Sequence, residues 1–97
     1  MDSVLDQIKE ISISYKVDKT LLFGSRARGD YSSASDYDIA IFENHLSALD
    51  KACLRADVDE IETLKKIDLV FVKESSKDEL MESIKRDGVI IYEQFRS

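Results

Sequence analysis

Residues 20–42, TLLFGSRARGDYSSASDYDIAIF, place the strongest constraint on how this chain can fold. Two short apolar runs rich in strand-forming residues flank a loop of small and charged residues. The second run begins with two aspartates one residue apart, Asp36 and Asp38. Side chains two apart on a strand point to the same face, so these carboxylates share one face while Tyr37 and Ile39 point to the core. The stretch therefore predicts two strands, the second starting with a cluster of negative charge.

The remaining apolar spacing predicts three helices and two further strands. The predicted helices are residues 3–15, the segment with the apolar stripe Leu46, Leu49, Cys53 and Ala56, and the segment that follows a Ser76–Glu79 capping box and has Leu80, Met81 and Ile84 on its apolar face. The predicted strands are residues 20–23, 37–42, 66–72 and 89–93, with Gly88 as the cap of the last helix. The order αββαβαβ predicts an α/β domain, a small sheet covered by helices.

Composition limits the classes of protein to consider. A chain of 97 residues, 43% apolar and 35% charged, is expected to form one soluble globular domain, residues 1–97. The net charge of −6 and the scattered basic residues argue against a nucleic-acid-binding module. No stretch approaches the ~20 apolar residues of a membrane span, and no signal peptide is expected. Cys53 is the only cysteine and is predicted to be a small buried residue; a cytoplasmic location follows.

A third aspartate lies in the third predicted strand. Asp68 is flanked by Ile67 and Leu69, so its side chain projects away from both. If this strand lies beside the second one, Asp68 joins Asp36 and Asp38 in a trio of acids. Such carboxylates repel one another unless a cation lies between them, and their hard oxygen ligands suit Mg²⁺.

The loop before the second strand has the features of a phosphate-binding turn. Gly24 follows a strand and permits a close backbone approach to a ligand. Ser25 offers a hydroxyl and an amide at a predicted helix start, where free N–H groups favour anions. Arg26 and Arg28 add positive charge. Taken alone, Gly24-Ser25 could be any strand-to-helix turn and Asp36 a turn residue, but the full spacing arises by chance in only about one chain in a thousand.

Gly24-Ser25, ten intervening residues and Asp36-Tyr37-Asp38 resemble the signature of the polymerase-β-type nucleotidyltransferase superfamily. The segment GSRARGD and the short chain resemble its minimal nucleotidyltransferases, and the resemblance covers nearly the whole chain. It implies a small mixed β-sheet flanked by α-helices, the nucleotidyltransferase fold. Tyr37 departs from the pattern, since an aliphatic residue is more usual there.

The resemblance also implies roles for the site residues. Asp36, Asp38 and Asp68 would be the catalytic and metal-binding carboxylates, with two Mg²⁺ ions as cofactor and ATP as substrate, and Asp68 would activate the acceptor hydroxyl. Gly24 and Ser25 would bind the β- and γ-phosphates. Arg26 and Arg28 would assist them, although Arg28 could instead brace the turn.

The same resemblance implies a partner. No acceptor-binding domain is expected beyond the catalytic core, so another chain would bring the acceptor. Family members of this size pair with HEPN-domain ribonuclease toxins and act as antitoxins by transferring AMP to a toxin tyrosine. Two alternatives stay open: an antitoxin that acts by sequestration alone, and the catalytic subunit of a two-chain transferase for a small molecule. Neither a membrane nor a nucleic acid is expected as a partner.

Overall fold

A computed structural model of the chain describes residues 3–24, 36–43, 45–63, 65–73 and 79–94. The described elements follow the predicted order of helices and strands. They are α1 (Ser3–Tyr15), β1 (Lys19–Phe23), β2 (Tyr37–Phe42), α2 (Ala48–Asp59), β3 (Ile67–Val72), α3 (Glu79–Asp87) and β4 (Val89–Glu93). The Ser76–Glu79 capping box and the Leu80 side chain lie outside the described part.

The four described strands form one mixed sheet in the order β3-β2-β1-β4. β1 pairs antiparallel with both β2 and β4, whereas β2 pairs parallel with β3. The parallel pair needs a crossover connection, and α2 supplies it. This arrangement confirms the predicted α/β class and the mixed sheet flanked by helices.

Strand alternation divides the core between the two faces of the sheet. On one face α1 and α2 cover the odd-numbered residues of β2, among them Tyr37 and Ile39. On the other face α3 contributes Met81 and Ile84, which pack with Ala40 and Phe42. Because β2 is covered on both faces, its side chains are nearly all buried from Ile39 onward. Tyr37 is only 3% exposed, so its departure from the usual aliphatic residue is a matter of core packing.

A buried hydroxyl pair joins α1 to the sheet. The Ser12 hydroxyl donates to the Ile8 carbonyl at 2.8 Å and lies 2.8 Å from the Thr20 hydroxyl on β1. Since the single Ser12 proton is used on the carbonyl, Thr20 is the donor in the second bond. Both buried hydroxyls are thereby satisfied, which avoids the cost of an unpaired polar group in the core.

The predicted face of α2 is wrong. Ser47 starts the helix with a capping box to Asp50, and the buried residues on its core side are Leu54 and Val58. Cys53, predicted to be buried, is exposed. The bulkier Leu54 and Val58, four residues apart, bury more apolar surface than Cys53 and Ala56, so the helix is rotated by about one residue, ~100°, from the predicted orientation.

A buried ion pair stabilises the chain directly after the end of β2. Glu43 is 4% exposed; one of its oxygens lies 3.0 Å from Lys51 Nζ and the other accepts from the Leu46 amide at 3.0 Å. Burial opposes ionisation, but the bonds from Lys51 and Leu46 and the positive charges of Lys51 and Lys73 lower the pKa of Glu43. The carboxylate thus fixes the β2–α2 connection.

Candidate active site

The start of β2 presents two of the predicted acidic residues. Asp36 immediately precedes the strand and is exposed, and Asp38 is its second residue and is half-buried. Alternation places Asp38 on the same face as Ala40 and Phe42, opposite the face where Tyr37 packs. The beginning of β2 therefore directs a carboxylate to the side of the sheet that α3 covers further along.

The third carboxylate lies directly beside the second. Asp38 and Asp68 are register partners in the parallel β2–β3 pair, so they share a face on neighbouring strands about 4.8 Å apart. Asp68 Oδ1 also lies 3.5 Å from Lys66 Nζ, with the two side chains 45% and 73% exposed. The structure thus brings Asp38 and Asp68 together and adds an ammonium group that the sequence reading did not include.

The surroundings of Asp38 disfavour its ionised form. Burial raises the pKa of Asp38, and the negative charges of Asp68 and then Asp36 raise it further. The ionised form of Asp38 is therefore destabilised, both by burial and by the negative charges of its neighbours. A cation placed against this group relieves both effects, because it compensates the lost solvation and the repulsion.

Gly24 lies close against this carboxylate. It follows β1, whose last residue, Phe23, is the register partner of Asp38. Gly24 has φ +75°, and a Cβ built on it would overlap the Asp38 carboxylate. Only glycine meets both requirements, the left-handed backbone and the absence of a side chain. Ser25, Arg26 and Arg28 lie outside the described residues.

The donor atoms suit Mg²⁺ bound together with a nucleotide better than a free ion. Within the described ranges, no three carboxylate, imidazole or thiol groups converge closely enough to hold a metal on their own. Mg²⁺ is commonly held by one or two carboxylates, with substrate phosphates and water completing the shell. Asp38 with its acidic neighbours provides hard oxygen ligands of this kind, so the residues present fit a metal–nucleotide complex.

Lys66 is the part of the site that sequence reasoning missed. It lies two residues before Asp68, so period-2 alternation places both side chains on one face. That spacing was the available signal. Among the described residues, a lysine lies beside Asp68, whereas the charged groups that act on Asp38 are the carboxylates of Asp68 and Asp36, so the two sites are electrostatically unequal.

Comparison with known proteins bears on the fold and the family. A family model described as "Polymerase beta, Nucleotidyltransferase" matches residues 6–97. A crystal structure of a candidate nucleotidyltransferase from Sulfolobus solfataricus is 24% identical over 94% of this chain and 81% of that one, with a TM-score of 0.61. No protein of curated function matches the sequence.

Two further solved structures are of toxin–antitoxin complexes. One, described as bound to AMP-PNP, is 20% identical over 93% of this chain and 73% of that chain, with a TM-score of 0.62. The other, a mutant MntA–HpeT complex, is 17% identical with the same coverage and a TM-score of 0.60. At these identities the likeness shows a shared fold. Separately, no helix in the described part of this chain is long and apolar enough to cross a membrane.

Proposed function

The chain belongs to the polymerase-β nucleotidyltransferase family, and from that premise we propose that it transfers AMP from ATP to a hydroxyl group of a partner protein. The acceptor in this proposal is a tyrosine of a HEPN-domain ribonuclease toxin, and the chain acts as the antitoxin. The observation that carries the proposal is the register pairing of Asp38 with Asp68 beside Gly24. The toxin–antitoxin complexes of similar fold, one of them with AMP-PNP, support the kind of partner and nucleotide.

In the proposed reaction the acceptor oxygen bonds to the α-phosphorus of ATP and the bond from that phosphorus to the bridging oxygen breaks, releasing pyrophosphate. Asp68 takes the proton of the acceptor hydroxyl. Asp36, Asp38 and Asp68 would hold two Mg²⁺ ions, which when bound supply charge neutralisation at the attacking and leaving oxygens. Gly24 and Ser25 bind the β- and γ-phosphates, and Arg26 and Arg28 contribute positive charge there.

The chain's own contribution is position and charge. Asp38 is held by the ladder of β2 and by the turn at Gly24, so its carboxylate is placed before substrate arrives. Asp68 is on β3, beside Asp38, and its side chain is 45% exposed, which suits a group that must reach an acceptor from outside. Lys66 holds Asp68 by charge until the acceptor enters.

The test is transfer from labelled ATP to the protein encoded beside this one, with Asp38→Asn as the variant and Asp6→Asn, an exposed position on α1, as the matched control. The acceptor residue is mapped by mass spectrometry. Loss of metal-held charge stabilisation costs several kcal/mol and each ~1.4 kcal/mol is tenfold in rate, so Asp38→Asn should lower transfer about 10³-fold or more. Asp6→Asn should transfer like the parent.

A cell assay separates catalysis from sequestration. Asp38→Asn should still bind the partner, because it replaces one half-buried side chain by another of nearly the same shape, yet should fail to protect cells from the toxin. Protection equal to that of the parent at equal expression would show that the protein acts by binding and would refute the enzymatic proposal. Label found on a small molecule instead would favour the two-chain transferase.

A further inference from the structure

A cleft of about 580 Å³ opens beside Asp68, along the outer edge of the sheet. Its walls are the end of α2, the α2–β3 connection and the first half of β3. Val58, Ile61 and Leu69 form its buried apolar floor, and Asp68 lines it at one side. The cleft therefore leads from the protein surface to the carboxylate that the proposed reaction assigns to the acceptor.

The outer edge of β3 offers backbone groups to this cleft. The Tyr37 amide donates to the Lys66 carbonyl at 2.9 Å and the Glu43 amide to the Val72 carbonyl at 3.4 Å, so the even-numbered residues of β3 bond to β2. Alternation then points the N–H and C=O of Ile67 and Leu69 away from β2. No described strand pairs with that side of β3, so it is an edge available to an added strand.

Arg55 limits which part of the edge is open. Its guanidinium donates to the Leu69 carbonyl at 3.4 Å and lies 5.6 Å from the centre of the Phe71 ring, over which Lys51 also lies. Cationic side chains thus cover β3 from the Leu69 carbonyl to the Phe71 ring. No described side chain bonds to the outer N–H and C=O of Ile67, so within the described residues the stretch adjacent to Asp68 can receive an incoming segment.

The charge of the cleft is opposite to that of the whole chain. Among the described residues that line it, three are basic (Arg55, Lys65 and Lys66) and two are acidic (Asp59 and Asp68), in a protein of net charge −6. Lys66 is 73% exposed. A rim with a small excess of positive charge, in a protein whose net charge is negative, attracts acidic groups and repels basic ones.

From these features we infer that the cleft is the docking site for an extended, acidic segment of the acceptor protein. The segment adds to the edge of β3 at Ile67 by backbone hydrogen bonds, its acidic side chains meet Lys65 and Arg55, and its hydroxyl-bearing residue lies against Asp68. A peptide fits better than a nucleic acid, because the open groups are the N–H and C=O of a strand. The inference rests on the proposed function for the identity of the acceptor.

The first test reverses one charge of the rim. Lys65 lines the cleft, and the ion pair of Asp68 is to Lys66 instead. Lys65→Glu reverses the charge of this residue, and Lys9→Glu makes the same change at an exposed position of α1 outside the cleft. With the acceptor protein as substrate, Lys65→Glu should raise the acceptor KM about fivefold, the scale of a reversed exposed ion pair, and leave the ATP dependence unchanged. Equal kinetics for Lys65→Glu and Lys9→Glu would overturn the docking site.

The second test probes the backbone edge. Ile67→Pro removes an N–H that β2 does not use, and proline is tolerated on edge strands; transfer should fall about tenfold, since one such bond to the segment is worth about 1–1.5 kcal/mol. Amide exchange by NMR tests the parent directly, so the inference does not depend on this variant folding. Saturating acceptor protein should slow exchange at Ile67 and Leu69, and unchanged exchange at both would refute edge pairing.

The outcomes also separate this inference from the function on which it rests. If the parent protein binds ATP yet labels no protein, the proposed function is refuted. If Lys65→Glu and Ile67→Pro label the acceptor as efficiently as the parent does, only the docking site in the cleft is refuted. Labelled single-stranded RNA serves as a third probe. RNA binding that competes with the acceptor and is lost in Lys65→Glu would assign the cleft to nucleic acid and overturn the peptide interpretation.

Discussion

Removing the charge of Asp38 should stabilise the protein while abolishing transfer. Asp38 is partly buried, it faces Asp68 across the β2–β3 pair, and burial and its acidic neighbours raise its pKa. Asparagine has nearly the same shape, carries no charge and can donate a hydrogen bond to either neighbouring carboxylate. Asp38→Asn should therefore raise the free energy of unfolding when metal and nucleotide are absent.

The size of the effect follows from Coulomb's law. Two carboxylates on adjacent strands, about 5 Å apart, repel by roughly 3 kcal/mol at an effective dielectric constant of 20. Asp68 is 45% exposed and is paired with Lys66, so solvent and the lysine screen most of this repulsion. The remaining effect is about 1 kcal/mol, which shifts the melting temperature of a domain this small by about 4 °C.

The pH dependence has a definite sign. The folded-state pKa of Asp38 lies above the ordinary aspartate value of 3.8. Below that value the group is protonated in both the folded and the unfolded chain, so its charge has no effect on stability. As pH rises through the folded-state pKa, the parent loses stability relative to Asp38→Asn. The difference in melting temperature should be small at about pH 4 and complete at about pH 7.

Circular-dichroism melts across this pH range provide the assay, with Asp6→Asn as the control. Mg²⁺ with a nonhydrolysable ATP analogue should reverse the order at neutral pH, since ligand bound only by the folded parent adds to its stability. If Asp38→Asn melts at or below the melting temperature of the parent at neutral pH without ligand, the charge of Asp38 does not destabilise the folded protein and the prediction is wrong.

Three further predictions concern individual contacts. Gly24→Ala should lower the free energy of unfolding by about 1–3 kcal/mol in urea titration and abolish ATP binding by calorimetry, because a left-handed backbone and a steric overlap act together. Lys51→Met removes the ammonium group that pairs with buried Glu43 and should cost about 2 kcal/mol at pH 7. Because the pKa of Glu43 is lowered in the folded state, that cost should vanish in acid melts as the carboxylate protonates. The hydrogen bond from Tyr15 to Asp57 raises the pKa of Tyr15 to about 12, so Asp57→Asn should bring its ultraviolet titration down towards 10.

The fold follows from the sequence wherever burial is simple. The run YDIAIF alternates between two covered faces, and its strand boundaries match the prediction at residues 37–42. Prediction of α2 failed because its few apolar residues offer two stripes, and only the packed volume of Leu54 and Val58 decides between them. Helical periodicity identifies a helix, but the direction it faces depends on what it packs against.

The candidate site was predictable in its residue types and less so in its geometry. Alternation along one strand explains the side on which Asp38 lies, but the pairing of Asp38 with Asp68 depends on the register of two strands 30 residues apart. The role of Lys66 and the cleft beside it depend on β3 being an edge strand, which the order of elements along the chain does not reveal. The roles of Ser25, Arg26 and Arg28 stay predictions.

The position of β3 at the margin of the sheet has a consequence for how such a protein can diversify. Gly24 lies against the Asp38 carboxylate where β1 ends beside β2, so a change in either one must be accommodated by the other. The outer side of β3 and the end of α2 lie on the other side of β3 from that pair. If the acceptor binds the cleft and the nucleotide binds near Gly24 and Asp38, as proposed, mutations can change the acceptor-binding surface while the nucleotide-binding residues stay the same. Proteins of this architecture can therefore evolve towards a different acceptor protein while keeping the same transfer reaction.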